Sequence, residues 1–156
     1  MQQQKRDDTK KHQAVPSPVT DEQLMAVMKK IVPWMNEAHP DWVIYGSAAL
    51  WLNGIGSVHP RDIDILVPCP DDDGAVWNEG PLFRCLRRTK QCVESIEVDI
   101  SEGLEIRWQE RWIPVIVGNV VCRDGLRFAS LADCQRLLRL FNRPKDRERL
   151  RRLFPE

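Results

Sequence analysis

The segment Arg61-Asp62-Ile63-Asp64-Ile65-Leu66-Val67 constrains the fold more tightly than any other part of the chain. Charged and apolar residues alternate and then give way to a fully apolar run, the pattern of a strand whose one face is covered first and both faces later. Pro68 and Pro70 cannot donate to a sheet ladder and end it. Alternation puts Asp62 and Asp64 on one face with attachment points about 6.6 Å apart. Two carboxylates bending inward can grip cations. In a two-metal phosphoryl site the ions lie roughly 3.5–4 Å apart and stabilise the attacking and leaving oxygens of an in-line displacement. Mg²⁺ combines carboxylate oxygens with water and phosphate, and this arrangement leaves room for all three.

The pair lies 15 residues after Gly46-Ser47, enough for a turn, a short helix and a returning strand. Trp42-Val43-Ile44-Tyr45 predicts a buried strand entering that turn, and Ala48 to Leu52 a short helix stopped by Asn53-Gly54. Glycine lets backbone approach a triphosphate, while Ser47 and the N–H groups beside it are donors for phosphate oxygens. A further strand over residues 93–100 would place Ile96, Val98 and Ile100 on one face and Glu97 and Asp99 on the other, so Asp99 is the third candidate carboxylate.

Elsewhere the pattern predicts one domain. Residues 1–18 are polar, without an apolar face, and are expected to form a flexible tail before a domain over 19–156. Thr20 or Asp21 can cap a helix carrying Leu24, Val27, Met28 and Ile31, with Pro33 kinking its last turn. Asp71, Asp72 and Asp73 suit the start of a helix over 76–88 that Gly80-Pro81 interrupts. Residues 104–111 are ambiguous, and 113–121 and 126–128 predict strands. Ser130 caps a helix to Leu140, and a last helix starts near Pro144.

Lysine and arginine equal aspartate and glutamate at 23 each, so overall charge selects neither nucleic acid nor membrane as a partner. The chain is locally basic from Arg136 to Arg152, a solvated helix face in the simplest reading and an RNA or nucleotide-phosphate contact in the alternative. Five scattered cysteines without a C-x-x-C pair predict reduced thiols and a cytoplasmic location; no signal region or spanning run argues otherwise. Dispersed His12, His39 and His59 give no zinc spacing, although His59 is near enough to Asp62 to line a pocket. Ser47 lacks a recognisable base partner, and Trp51, Trp77, Trp108 and Trp112 suit core or cover positions.

Tyr45-Gly46-Ser47-Ala48-Ala49 followed by Arg61-Asp62-Ile63-Asp64-Ile65-Leu66-Val67 resembles the signature of the polymerase-beta-like nucleotidyltransferase superfamily. The chain looks most like its small bacterial branch of minimal nucleotidyltransferases and abortive-infection nucleotidyltransferase toxins. Val98-Asp99-Ile100 matches that branch's third-carboxylate strand, and Ser130-Leu131-Ala132-Asp133 and Arg143-Pro144-Lys145-Asp146 match its C-terminal pattern. Leu138 stands where the branch often has lysine, for which Arg139 is a candidate substitute, and residues 102–121 diverge.

The resemblance implies an α+β nucleotidyltransferase fold, a mixed sheet flanked by helices with short C-terminal helices. It implies transfer of a nucleoside monophosphate from an NTP to an acceptor hydroxyl of RNA, such as tRNA, of a protein or of a small molecule, with pyrophosphate released. Asp62 and Asp64 would hold Mg²⁺ or Mn²⁺, and Asp99 would complete a metal site or accept the hydroxyl proton. Gly46 and Ser47 would hold phosphates, with Arg61 or Lys145 as charge partners. The alternative is an inactive fold used for binding, as an antitoxin or defence-complex component; either way a toxin or antitoxin partner is conceivable.

Overall fold

Alternation along Asp62–Val67 decides the architecture, because Ile63 and Ile65 must be covered on one side while the carboxylates stay open on the other. The computed structural model describes residues 18–68 and 74–155. The expected tail up to residue 17 and the acidic run at 71–73 lie outside the described residues.

Helix α1 (Asp21–Ala38) begins with a reciprocal cap: the Gln23 N–H donates to Thr20 Oγ1 at 3.1 Å and the Thr20 N–H to Gln23 Oε1 at 2.9 Å. The helix runs past Pro33 to Ala38, and buries Leu24, Val27, Met28, Ile31 and Met35. Strand β1 (Val43–Tyr45) leads into α2 (Gly46–Leu52), and β2 (Asp62–Val67) returns beside β1. Asn53 ends α2 and ties it down, its Nδ2 donating to the Ala49 and Ala129 carbonyls at 2.7 and 2.9 Å.

The region expected to form a helix over 76–88 is instead β3 (Asn78–Glu79), β4 (Phe83–Cys85) and the start of β5 (Arg87–Val93). Gly80-Pro81 makes a turn, closed by the Gly80 N–H on the Phe83 carbonyl at 2.7 Å, and sheet pairing takes the backbone groups a helix would have used. The strand expected over 93–100 is β6 (Ile96–Glu102); Glu94 and Ser95 form a tight turn from β5 with φ of 49° and 70°. The ambiguous stretch forms β7 (Glu105–Trp108) and opens β8 (Arg111–Pro114), and the strand expected over 113–121 is divided between β8 and β9 (Val120–Arg123). Strand β10 (Leu126–Ala129), α3 (Leu131–Phe141) and α4 (Pro144–Leu153) complete the chain, with Ser130 capping α3 and Pro144 in the first turn of α4.

One sheet has the order β5-β6-β2-β1-β10-β9, parallel at β6/β2 and β1/β10 and antiparallel elsewhere; the other runs β3-β4-β7-β8. The back of the large sheet, with Ile44, Ile63, Ile65, Val98 and Phe128, packs against α1 in the main core. A second core joins Val43 and Leu66 from its front to Cys85, Leu104 and Ile106 of the small sheet and to Leu137 and Phe141 of α3. Between the sheets and the C-terminal helices the front face is left open above Asp62 and Asp64.

Candidate active site

Strand register brings the carboxylates together. Asp64 is paired with Tyr45 on β1 and with Asp99 on β6, while Asp62 is paired with Glu97. Ile63 and Val98 point into the main core at 0% and 2% exposure, which fixes Asp62, Asp64 and Asp99 on the opposite face. All three line a cleft of about 1070 Å³, together with Gly46, Ser47 and Lys145. Arg61 and His59 line it too, so the candidate carboxylates and phosphate-binding residues face one space.

Gly46 takes φ of +70° where β1 turns into α2, and a Cβ added there would stand 3.2 Å from Asp64 Oδ2. The turn backbone therefore passes directly beside the carboxylate, a close approach that glycine alone permits without strain. Burial, then the neighbouring Asp62 and Asp99 charges, push the Asp64 carboxyl up to about 7, with Lys145 and Arg88 acting in the opposite direction. Tyr45 is kept neutral far above its usual range, first by burial and then by Asp64 and Asp99, and its side chain is hydrogen-bonded with Ser101.

Asp99 is held differently. Arg88 on β5 donates through Nε to Oδ1 and Oδ2 at 3.0 and 3.2 Å, and through Nη2 to Oδ2 at 2.6 Å. This fork, led by the hydrogen bonds, shifts the guanidinium further toward its charged form. No group of three or more His, Cys, Asp or Glu side chains is arranged to hold a metal ion among the described residues. Asp62 and Asp64 have no hydrogen-bond or ion-pair partner among those residues. Two unpartnered carboxylates, their mutual repulsion and the open space before them fit a hard divalent cation that also takes oxygens from water and phosphate.

Helix α4 supplies the cationic wall. Asp146 accepts from the Arg143 N–H at 3.1 Å and from Arg143 Nε and Nη2 at 2.6 and 3.1 Å, locking the Arg143-Pro144-Lys145-Asp146 turn. Lys145 and Arg149, one turn apart, both line the cleft. Arg139 does not: it borders a separate depression with Leu150 and Phe154, so it is no substitute for a lysine at Leu138, which faces the cleft. The opposite wall comes from the small sheet. Phe83 meets Phe141 edge-on at 5.2 Å, with the Arg143 guanidinium 5.5 Å from the Phe83 ring. Arg84 lies between Trp77 and Trp112, at 4.2 and 4.7 Å, and Glu105 accepts from its Nε at 2.7 Å, so these two tryptophans are cover residues.

Sequence reasoning missed Arg88, Tyr45 as a site residue and the Phe83 wall, and carried Arg149 only within the basic C-terminal segment. Residues 87–93 are polar nearly throughout, and their edge-strand pairing leaves no periodic signal from which Arg88 could have been placed.

No protein-family model matches this sequence, and no curated protein is significantly similar to it. A search of solved structures matches the crystal structure of a nucleotidyltransferase candidate from Thermotoga maritima with a TM-score of 0.64. The match covers 87% of this chain and 95% of the other at 18% identity. This is the nucleotidyltransferase fold. Its mixed sheet and flanking helices are the α+β architecture expected from the sequence, and at this identity the likeness speaks for the fold alone. No helix among the described residues is long and apolar enough to cross a membrane.

Proposed function

We propose that this chain transfers a nucleoside monophosphate from an NTP to an acceptor hydroxyl and releases pyrophosphate, as in the small bacterial branch of minimal and toxin-like nucleotidyltransferases. The observation that carries the reading is the pair of carboxylates, Asp62 and Asp64, without a partner among the described residues, beside the Gly46 turn in a cleft walled by Lys145 and Arg149. Mg²⁺ or Mn²⁺ held by Asp62 and Asp64 would supply the positive charge that stabilises the attacking and leaving oxygens. Gly46 and Ser47 would bring backbone and hydroxyl donors to the phosphates, and Lys145, with Arg61 at the rim, would bind their charge. Asp99 would complete the carboxylate set. Both its oxygens are engaged by Arg88, so it can take a hydroxyl proton only after Arg88 moves. Free thiols at Cys85, Cys92, Cys122 and Cys134 among the described residues support a cytoplasmic setting, with RNA, a protein or a small molecule as acceptor and a toxin or antitoxin as partner.

The test is calorimetric titration of parent, Asp62→Asn and Asp64→Asn with Mg²⁺ and a non-hydrolysable NTP, beside transfer from labelled NTPs to RNA, protein and metabolite fractions. Each variant should lose more than about tenfold in metal-dependent nucleotide affinity and lose labelled product. Parent-like binding in both would remove the site. A second reading, an inactive fold used for binding, is favoured by Leu138 in the cleft with Arg139 outside it. Nucleotide binding without labelled product from any acceptor fraction would select that reading.

A further inference from the structure

Arg88 lies on the edge strand β5 in register with Ser101, and its side chain reaches diagonally to Asp99. The two partners differ in freedom. The Asp99 side chain is 11% exposed and fixed within β6, whereas the Arg88 side chain is 53% exposed and borders open cleft. The neighbouring edge cation, Lys90, stands 3.6 Å from Glu97, so the bidentate contact to Asp99 belongs to Arg88. Asp99 and Asp64 are register partners on adjacent strands, and the guanidinium takes up both of the oxygens that Asp99 would offer to a cation shared between them.

We propose that Arg88 is a resident cation that competes with a divalent ion for Asp99. Asp62 and Asp64 then bind one ion readily, while an ion that requires Asp99 enters only when Arg88 swings away. This rests on the nucleotidyl-transfer reading of the same cleft. Geometry supplies both halves of the device: a planar fork engages both carboxylate oxygens of Asp99, and half the side chain faces solvent into which it can rotate. The released fork would lie in the cleft, where phosphate oxygens offer it an equivalent planar partner. Arg88 is thus a positioning residue acting through Asp99.

The experiment uses the full chain without nucleotide, titrated with Mn²⁺ by calorimetry and followed by electron paramagnetic resonance, in parent, Arg88→Met, Arg88→Lys and Asp64→Asn. The parent should bind one ion, lost in Asp64→Asn. Arg88→Met should bind a second, spin-coupled ion with apparent affinity about tenfold or more above any second binding in the parent. Arg88→Lys should fall between them, because an ammonium lacks the planar fork that matches the two carboxylate oxygens. Metal-free Arg88→Met should also melt lower than the parent and recover on Mn²⁺ addition, a coupling that a merely structural ion pair does not produce. If Arg88→Met fails to fold, a second-site gain in Arg88→Lys carries the proposal and its absence overturns it. Parental stoichiometry and affinity in the Arg88 variants, or two tight ions in the parent, overturn the Arg88 inference while leaving an Asp64-dependent ion site standing. No ion in any of the proteins overturns both.

Discussion

Asp64 is where folding and chemistry oppose each other most directly. Its carboxyl is raised from an ordinary 3.8 to about 7 in the native chain, so the folded state keeps a proton that the unfolded state has already released. The stabilisation from this group is present at acid pH and is lost as pH rises through that window, with no further change from it above. Chelator-treated Asp64→Asn should therefore match the parent near pH 4 and melt higher near pH 8, a divergence that thermal denaturation at the two pH values would detect. Equal melting at both would show that the carboxylates do not strain the fold. Gly46→Ala tests the same atoms from the other side. The methyl would meet Asp64 Oδ2 and occupy a left-handed position, costing about 1 kcal/mol in denaturant melts. Metal affinity should fall by about tenfold or more, since the displaced carboxylate is the proposed ligand.

Helix α4 shows how an element delivers one side chain. The buried Asp146 holds Arg143 through three hydrogen bonds and fixes the first turn, which sets where Lys145 enters the cleft. Asp146→Ala should cost about 2 kcal/mol, below the range for a fully buried pair because Arg143 is partly exposed, and should weaken nucleotide binding in calorimetry. Unchanged affinity in a destabilised variant would separate the turn from the site. The helices and β2 were legible because their apolar spacing matches their period: Leu24, Val27, Met28 and Ile31 mark α1, and Ile63 and Ile65 mark β2. The hairpins were less so. Asp124-Gly125 between β9 and β10 has the composition a two-residue turn favours, whereas Glu94-Ser95 and Gln109-Glu110 take positive φ without glycine or asparagine. Residues 76–88 misled because the pairing of β4 with β7 spans more than twenty positions, beyond any local pattern. The carboxylates were readable for the reason β2 was. Arg88 and Phe83 were not, since their places depend on which strands become neighbours.

At the scale of the molecule, the small sheet is anchored to the large one and to α3 by the second core, of which Phe83 and Phe141 form the cleft-side border. Phe83→Ala removes an edge-to-face pair and a ring beside Arg143, and should lower stability by about 3 kcal/mol. Nucleotide affinity should fall with it, measured by urea melts and calorimetry on the same protein. Stability lost without affinity would mean that the small sheet braces the fold but does not shape the cleft. The strand register has a different kind of consequence, one for heredity. Because Ile63 and Ile65 fill the core through the same alternation that presents Asp62 and Asp64, one inserted or deleted residue in β2 would turn carboxylates inward and isoleucines outward together. Descendants of this chain can exchange residues along the strand one at a time, but cannot shift its reading by one without losing fold and site in the same event.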